Sequence, residues 1–305
     1  MITPTEVRFI KLGIRGGWER ECIESSKPTI RLGFVNPYHE DCLKGKWDRV
    51  HRHYLKQTAK NKAAENTGQI RDFYTLDDKA LWITFYKKHL FWCFARPEVS
   101  MLPTGDRIRR VKGKWKSTSL TGEELLVDRL SGQLTKTQGF RGTICRVREW
   151  EYLIRRIKGE KMPDVETAEA SLHNLHSALI PLIQRLGWKD FELLCDLIFT
   201  NGGWRRNSRV GSTEKDVDLD LSAPVSGKRA FVQIKSQADE ATLQDYVERF
   251  IGNSLYDEMY FAVHSPTDNY KKWNLPERVT IIGPDEIVVL AVAAGLTDWI
   301  IQKNA

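Results

Sequence analysis

The sequence predicts two domains: an α+β domain built on a small curved β-barrel, followed by an α/β domain whose central mixed sheet is flanked by helices. Residues 1–165 hold 33 Lys and Arg against 20 Asp and Glu, whereas residues 166–305 hold 14 against 20, so a basic half precedes an acidic one. A polar segment with Gly and Pro near residues 158–166 separates the halves and is typical of a linker. We therefore expect domains over residues 1–158 and 166–305.

The amino-terminal half contains short runs rich in β-branched and aromatic residues, separated by breaks with Gly, Pro, Asn and Asp. Such runs are typical of strands, and they cover residues 7–12, 29–34, 81–85 and 90–94. The last two are spaced to form a hairpin through residues 86–89. Short strands of this kind, with a helix or two, favour a small barrel.

The carboxy-terminal half alternates helical and strand patterns, as α/β domains do. The predicted helices begin after Thr167 and at residues 188, 242 and 285, the last running to residue 301. The predicted strands cover residues 216–221, 229–236, 258–264 and 278–283. Pro and Gly in residues 222–228 indicate a hairpin loop between the first two strands.

Three aspartates alternate along the first of these strands. Because strand side chains alternate between two faces, Asp216, Asp218 and Asp220 share one face. On the returning strand, Gln233 and Lys235 should emerge beside them. Carboxylates roughly 7 Å apart repel one another, and such an arrangement is usually retained around a divalent cation. The alternative is a solvated edge hairpin in which Lys235 neutralises its neighbours.

Magnesium is the ion that this oxygen-rich strand predicts, with manganese as the alternative. A nearby ammonium could orient or deprotonate a metal-bound water for attack on a phosphodiester. The strand pair and its charges therefore predict metal-dependent phosphodiester hydrolysis.

The whole segment resembles the PD-(D/E)xK nuclease superfamily, in which a metal-binding Asp on one strand precedes a (D/E)-x-K motif on the next. Gln-Ile-Lys at residues 233–235 resembles the Q-x-K variant of Mrr-like restriction endonucleases. The resemblance implies that Asp218 is the principal metal ligand, with Asp216 or Asp220 as second candidates. It implies further that Gln233 takes the place of the second carboxylate and that Lys235 is the catalytic lysine.

Many members of that superfamily complete the site with a glutamate on the first helix, and Glu192 stands at the matching place. A carboxylate near a helix start also interacts favourably with the helix dipole. Both interpretations of Glu192 stay open at this stage.

Residues 107–116 place six cations and a tryptophan within ten residues. Such density is typical of phosphate contact, although a solvated basic face is the alternative. The predicted nucleic-acid contacts are Arg107, Arg109, Arg110, Lys112, Lys114 and Lys116.

The amino-terminal half also resembles the PUA, EVE and YTH class of base-reading barrels in its strand order and aromatic content. That resemblance implies a pocket that accepts one flipped modified base between aromatic walls. Trp18, Trp47, Trp82 and Trp92 are the candidates for its walls. The alternative is that these tryptophans belong to the hydrophobic core.

Together these patterns predict a modification-dependent DNA endonuclease that uses magnesium, binds double-stranded DNA as a homodimer and acts in defence against foreign DNA. The alternatives are a repair or structure-specific nuclease acting on DNA or RNA, and a non-catalytic nucleic-acid-binding protein. Five scattered cysteines without a C-x-x-C pattern favour reduced thiols. With neither a signal peptide nor a long apolar stretch, a cytoplasmic location is expected.

Overall fold

A computed structural model describes residues 2–207 and 217–305 of the chain. The chain divides into two compact units, Met1–Met162 and Pro163–Ala305. Each unit has its own sheet and its own pair of hydrophobic cores.

The amino-terminal unit is built on a six-stranded sheet. Its strands are β1 (Val7–Ile10), β2 (Thr29–Leu32), β3 (Leu81–Tyr86), β4 (His89–Met101), β5 (Arg107–Val111) and β6 (Ile144–Arg146). They lie in the order β2-β5-β4-β3-β1-β6. β1 and β3 run parallel, and the other neighbours pair antiparallel. The four strands expected from the sequence are therefore confirmed.

Helices cover both faces of this sheet. They are α1 (Glu19–Glu24), α2 (His39–Leu43), α3 (Trp47–Leu55), α4 (Lys60–Thr75), α5 (Gly132–Thr135) and α6 (Trp150–Lys158). Apolar side chains of α1 to α4 pack on one face with Trp82 and Cys93. Those of α5 and α6 pack on the other face with Ile83 and Trp92.

The expected barrel is not closed in the part of the chain that the structure describes, because β2 and β6 stand at opposite ends of the sheet. The reason lies in how apolar residues are distributed along the strands. A small barrel buries its inner face, whereas neighbouring residues of β3 and β4 here bury side chains on both faces. A sheet with two apolar faces is covered by a layer on each side.

The predicted hairpin between β3 and β4 is confirmed. Tyr86 pairs with His89 across a two-residue turn formed by Lys87 and Lys88, whose φ angles are 45° and 62°. Two consecutive positive φ values give the turn twist that matches a right-handed hairpin.

The carboxy-terminal unit has a five-stranded mixed sheet. Its strands are β7 (Arg205–Arg206), β8 (Leu219–Ser222), β9 (Arg229–Ala238), β10 (Glu258–Pro266) and β11 (Val279–Ile282). They lie in the order β11-β10-β9-β8-β7. β9, β10 and β11 run parallel, while β8 is antiparallel to β7 and β9.

Helices flank this sheet on both faces, as the sequence predicts. They are α7 (Pro163–Gln184), α8 (Trp188–Asn201), α9 (Glu240–Ile251), α10 (Pro284–Ala293) and α11 (Thr297–Asn304). α9 packs on one face, and α7, α8, α10 and α11 pack on the other. The single closing helix expected over residues 285–301 is wrong: the chain forms two helices there. Gly295, with φ at 72°, ends the first of them in the left-handed conformation.

The hairpin of β8 and β9 is confirmed, with Leu219 opposite Val232 and Ser222 opposite Arg229. Val232 and the two leucines of β8 are fully buried against α8. This burial fixes the strand register, because a one-residue slip would turn those side chains to the opposite face. Among the helices of residues 2–207 and 217–305, none has the length and apolar character of a membrane span.

Candidate active site

Asp218 lies immediately before β8, where its side chain meets β9. Its carboxylate oxygen Oδ2 accepts two hydrogen bonds, from Gln233 Nε2 at 2.5 Å and from the backbone N–H of Ile234 at 2.6 Å. Since Leu219 pairs with Val232, Asp218, the residue before β8, comes opposite Gln233. The predicted meeting of the aspartate strand with the Q-x-K strand therefore occurs at Asp218.

Gln233 is 3% exposed, and its side chain is only half satisfied. Its amide nitrogen donates to Asp218, whereas its buried carbonyl oxygen Oε1 accepts no hydrogen bond from the described residues. A buried acceptor left in this state costs about 1–3 kcal/mol. Such an oxygen is where a bound cation or an ordered water would gain a ligand.

Burial raises the pKa of Asp218, because a carboxylate loses hydration there. The hydrogen bond from Ile234 and the charge of Lys235 act in the opposite direction. Burial also raises the pKa of Glu192 on α8, and the negative charge of Asp218 raises it further. The positive charge of Arg206 lowers it. The two carboxylates therefore lie near enough to repel each other, which is the electrostatic setting of a cation site.

Lys235 lies two residues beyond Gln233, on the same face of β9. Its side chain is partly buried, and its ammonium stands 5.1 Å from the ring centroid of Tyr246 on α9. A ring face attracts a cation without neutralising it. The positive charge of Lys235 also acts on Asp218, whose pKa it lowers.

The other two predicted aspartates differ from Asp218. Asp220 forms a 2.6 Å ion pair with Arg229 and accepts a 3.1 Å hydrogen bond from Asn207. Both of its carboxylate oxygens therefore already have partners within the protein. Asp216 lies outside the described residues. Of the two that can be compared, Asp218 is the better placed ligand.

Across the described ranges, no group of three or more His, Cys, Asp or Glu side chains has the arrangement of a metal site. Gln233 contributes an amide at the position where the resemblance implies a second carboxylate. The oxygen atoms that could serve as ligands are those of Asp218, the amide oxygen of Gln233 and the carboxylate of Glu192, which also lies 3.9 Å from the Arg206 guanidinium.

Comparison with known families bears on the same segment. Residues 183–267 match the family model Mrr_cat, described as a restriction endonuclease. The carboxy-terminal half carries an Mrr-like restriction endonuclease domain. The matched segment spans α8 and the β8–β9 hairpin, and thus the positions of Glu192, Asp218, Gln233 and Lys235. No curated protein and no solved structure matches the chain.

The match shows a nuclease domain of the restriction-endonuclease type, for which DNA is the substrate. The Mrr-like domain occupies part of the chain only, and the amino-terminal unit lies outside it. The remaining predicted residues belong to that unit.

Two of the six cations predicted to contact nucleic acid are in the core instead. Arg107 and Arg109 are 1% and 0% exposed, on the same face of β5 as buried Val111. Arg109 donates to the carbonyl oxygens of Arg96 at 2.6 Å and Phe73 at 3.1 Å. Guanidinium groups used in this way cannot reach a phosphate, so the prediction is wrong for both.

The other four cations of the stretch are exposed. Arg110 donates to the carbonyl oxygen of Lys27, Lys112 pairs with Asp78, and Lys116 lies over the ring of Trp92. Together with Lys114 they remain predicted phosphate contacts.

The aromatic cage predicted from four tryptophans does not form. Trp82 and Trp92 are 0% and 3% exposed, and they pack into the cores on opposite faces of the sheet. Trp92 pairs with Ile83, so the two side chains share one face of the sheet. Trp82, the neighbour of Ile83 on β3, therefore projects from the opposite face. The Arg31 guanidinium lies over the Trp18 ring, with 4.2 Å between its Cζ atom and the ring centroid. Trp47 packs edge-on against Tyr74.

The sequence interpretation missed a basic face on α3. Val50 and Tyr54 bury one side of this helix, and Arg49, Arg52 and Lys56, the residue that follows the helix, are exposed on another. Arg49 also pairs with Asp41 at 3.1 Å. These cations border a cavity of about 450 Å³ together with Tyr38 and His53. Their spacing of three and four residues was the available signal, since such residues share a helix face.

Proposed function

We propose that this chain is a magnesium-dependent endonuclease that cleaves double-stranded DNA containing modified bases, with a role in defence against foreign DNA. The observation that carries the nuclease assignment is the contact between Asp218 and Gln233 beside Lys235, inside the segment that matches restriction endonucleases. Manganese is the alternative ion.

The residues present fit a divalent cation. Magnesium prefers oxygen ligands and retains several waters, and the site offers carboxylates from Asp218 and Glu192 and the buried amide oxygen of Gln233. When bound, the ion supplies a polarised phosphate and a water of lowered pKa. The fit explains why the chain keeps a buried carboxylate and an unsatisfied acceptor side by side.

The chain's own residues perform the remaining tasks. The backbone N–H of Ile234 and the amide of Gln233 fix the orientation of the Asp218 carboxylate. Lys235 places an ammonium close to that carboxylate, where it can donate to the attacking water or to a phosphate oxygen. A positioned donor of this kind stabilises negative charge that develops on the phosphate.

DNA contact is assigned to the amino-terminal unit, because the net positive charge of the chain lies there and the carboxy-terminal part is net acidic. The exposed α3 face of Arg49, Arg52 and Lys56 would contact consecutive phosphates without reading sequence. The exposed cations Arg110 and Lys114 of the β5 region provide further contacts. Selection of modified DNA then requires a separate contact with a base.

A homodimer follows from the number of sites. Each chain supplies one set of Asp218, Gln233 and Lys235, while a duplex has two strands to cut. A two-fold dimer would present one site to each strand. Sedimentation of the protein with and without duplex DNA measures this directly.

The deciding experiment incubates the purified full chain and magnesium with matched duplexes containing cytosine, 5-methylcytosine, 5-hydroxymethylcytosine or glucosylated 5-hydroxymethylcytosine. We expect cleavage of at least one modified duplex, no cleavage in EDTA, and none by Asp218→Asn or Lys235→Ala. Gln237→Ala, an exposed change on the same strand, is the control and should cut normally. Equal cleavage of all four duplexes would remove modification dependence, and full activity of both site variants would remove the site.

A further inference from the structure

A second carboxylate lies one helical turn beyond Glu192 on α8. Residues four apart share a helix face, and Asp196 is the residue at that spacing. Burial raises the pKa of the neighbouring Cys195 thiol, and the negative charges of Asp218, Glu192 and Asp196 raise it further. Three carboxylates therefore surround this stretch of α8, and Asp196 is the one to which the proposed function gives no role.

Arg206 of β7 is a cation that faces these carboxylates. It pairs with Leu221 of β8, whose side chain is buried against α8, so Arg206 projects towards the same helix. Its Nη1 atom lies 3.4 Å from Asp196 Oδ2, and its Nη2 atom lies 3.9 Å from Glu192 Oε1. One guanidinium thus bridges a candidate ligand of the cation and the carboxylate one turn away.

The two contacts of this bridge are loose. A guanidinium in a strong charge-assisted hydrogen bond lies about 2.7–2.9 Å from the carboxylate oxygen, and both distances here are longer. Asp196 Oδ1 is buried and accepts no hydrogen bond from the described residues. The three side chains are between 21% and 32% exposed. Ion pairs of this kind are worth little, so the guanidinium can leave Glu192 at a small cost.

A cation held by Asp218 and Glu192 would compete with Arg206. Both positive groups are attracted to the Glu192 carboxylate, and they repel each other. A divalent ion carries the higher charge and therefore gains more from that carboxylate than the guanidinium does. Asp196 stays beside the guanidinium in either case. Because a guanidinium has several N–H donors in a planar fork that suits phosphate, the donors released from Glu192 can be used by a DNA phosphate.

We propose that Arg206 exchanges partners when the cation binds: it bridges Glu192 and Asp196 in the metal-free protein, and it contacts a DNA phosphate once the cation has taken Glu192. Asp196 anchors the guanidinium in both states. The exchange couples the two binding events, because a phosphate gains its contact only after the cation is in place. Arg206 is thereby assigned to substrate binding in the Mrr-like domain.

This inference rests on the proposed function, since it concerns the same cation site. It is tested in the full chain carrying Lys235→Ala, which prevents cleavage and leaves every carboxylate in place. Arg206→Gln is the test variant. Arg205→Gln removes the same charge from an exposed residue of the same strand and is the matched control. Thermal melting of each variant is measured first, so that folded proteins are compared.

The first readout is the magnesium concentration that gives half of the full rise in melting temperature, measured without DNA. Because Arg206 competes with the cation for Glu192, we expect Arg206→Gln to lower this concentration by about 2- to 5-fold, the value of a partly exposed ion pair. Arg205→Gln should leave it unchanged. An unchanged concentration in the test variant, or an equal shift in the control, would overturn the competition for Glu192.

The second readout is the dissociation constant of the duplex that the parent binds most tightly, measured in magnesium and in EDTA. In magnesium, Arg206→Gln should raise this constant by about 3- to 10-fold, the range of a charge-assisted contact. In EDTA, where Arg206 stays with Glu192, the same change should have little effect. A surface cation without the exchange would weaken binding equally in both conditions, and that result would overturn the proposal.

A double-mutant cycle in EDTA tests the exchange without a metal ion. Glu192→Gln removes the partner that holds Arg206, so we expect DNA affinity to rise, and to rise less when Arg206→Gln is also present. If the parent neither binds magnesium nor cuts DNA, the proposed function fails, and Arg206 is judged by this cycle alone. A gain that depends on Arg206 supports the inference, whereas no gain, or an equal gain with and without Arg206, overturns it.

Discussion

At the scale of single residues, Asp218 is held in place by its neighbours although burial disfavours its charge. Two hydrogen bonds and Lys235 favour the ionised form, yet burial is the largest influence on its pKa and raises it. Gln233 adds a buried oxygen without a donor from the described residues. Both features lower the stability of the protein without a cation and both suit a cation, which is how functional sites often differ from the rest of a fold.

Replacing Asp218 by Asn should therefore stabilise the metal-free protein while abolishing cleavage. Because the pKa of Asp218 is higher in the folded protein than in the unfolded chain, its protonated carboxyl stabilises the fold. This stabilisation is fully present below the unfolded pKa, near 4. It is lost as the pH rises through the higher folded value. An Asn side chain keeps an acceptor for Gln233 and Ile234 but carries no charge.

The measurement is thermal unfolding in EDTA from pH 4 to pH 8. We expect the melting temperature of Asp218→Asn to exceed that of the parent by a few degrees at pH 7 and the gap to close towards pH 4. Magnesium should raise the melting temperature of the parent only. A variant that melts below the parent at pH 7 would contradict this account.

Replacing Gln233 by Glu tests the amide that stands where a carboxylate is usual. The new carboxylate should repel Asp218 in EDTA and lower the melting temperature, because two like charges share a buried site. With magnesium present, the added ligand charge should reduce the concentration needed for half-maximal cleavage. Gln237→Glu, an exposed change on the same strand, is the control, and an equal shift in both variants would contradict a direct role for residue 233.

At the scale of elements, strand and helix periodicity decide which charges reach solvent. β5 alternates, so Arg107 and Arg109 turn inward with Val111 while Arg110 turns outward. The density of cations along the chain hid this alternation. On α3 the same reasoning works in reverse, since Val50 and Tyr54 identify the buried side and leave Arg49, Arg52 and Lys56 exposed.

Changing these three α3 cations together to Gln should weaken binding to plain and modified DNA alike. Each phosphate contact contributes about 0.9 to the slope of log affinity against log salt, so the slope should fall by up to about 3. Binding measured between 50 and 200 mM salt gives this value. Lys27, Lys79 and Lys136, three exposed and scattered lysines, form the matched control triple. The α3 assignment fails if both triples shift the slope equally.

At the scale of the whole molecule, charge and chemistry are divided between the two units. The basic excess lies before the division at residue 162, and the Mrr-like domain lies after it. Each unit buries its own apolar side chains on both faces of its own sheet. Separate cores are the physical condition for independent folding.

A fragment of residues 1–162 should therefore fold alone and bind DNA with an affinity that falls steeply as salt rises. A fragment of residues 163–305 should fold and bind DNA weakly. Circular dichroism melting and fluorescence anisotropy of both fragments measure folding and binding. Equal affinity of the two fragments would contradict the division of labour, and a non-cooperative melt of either would contradict independent folding.

The sequence by itself determined the carboxy-terminal hairpin, the placing of its aspartate face beside Gln233, and the strands of the amino-terminal half, whereas the choice of Asp218 among the aspartates came from the family resemblance. These features depend on alternation and turn chemistry, which are local and can be read within about ten residues. Only the tertiary structure decided which side of each strand is buried. It placed Arg109 and Trp82 in a core, left the six-stranded sheet open, and separated Asp218 from Asp220. Periodicity groups residues by face, but burial depends on the elements that pack against that face, and those come from distant parts of the chain.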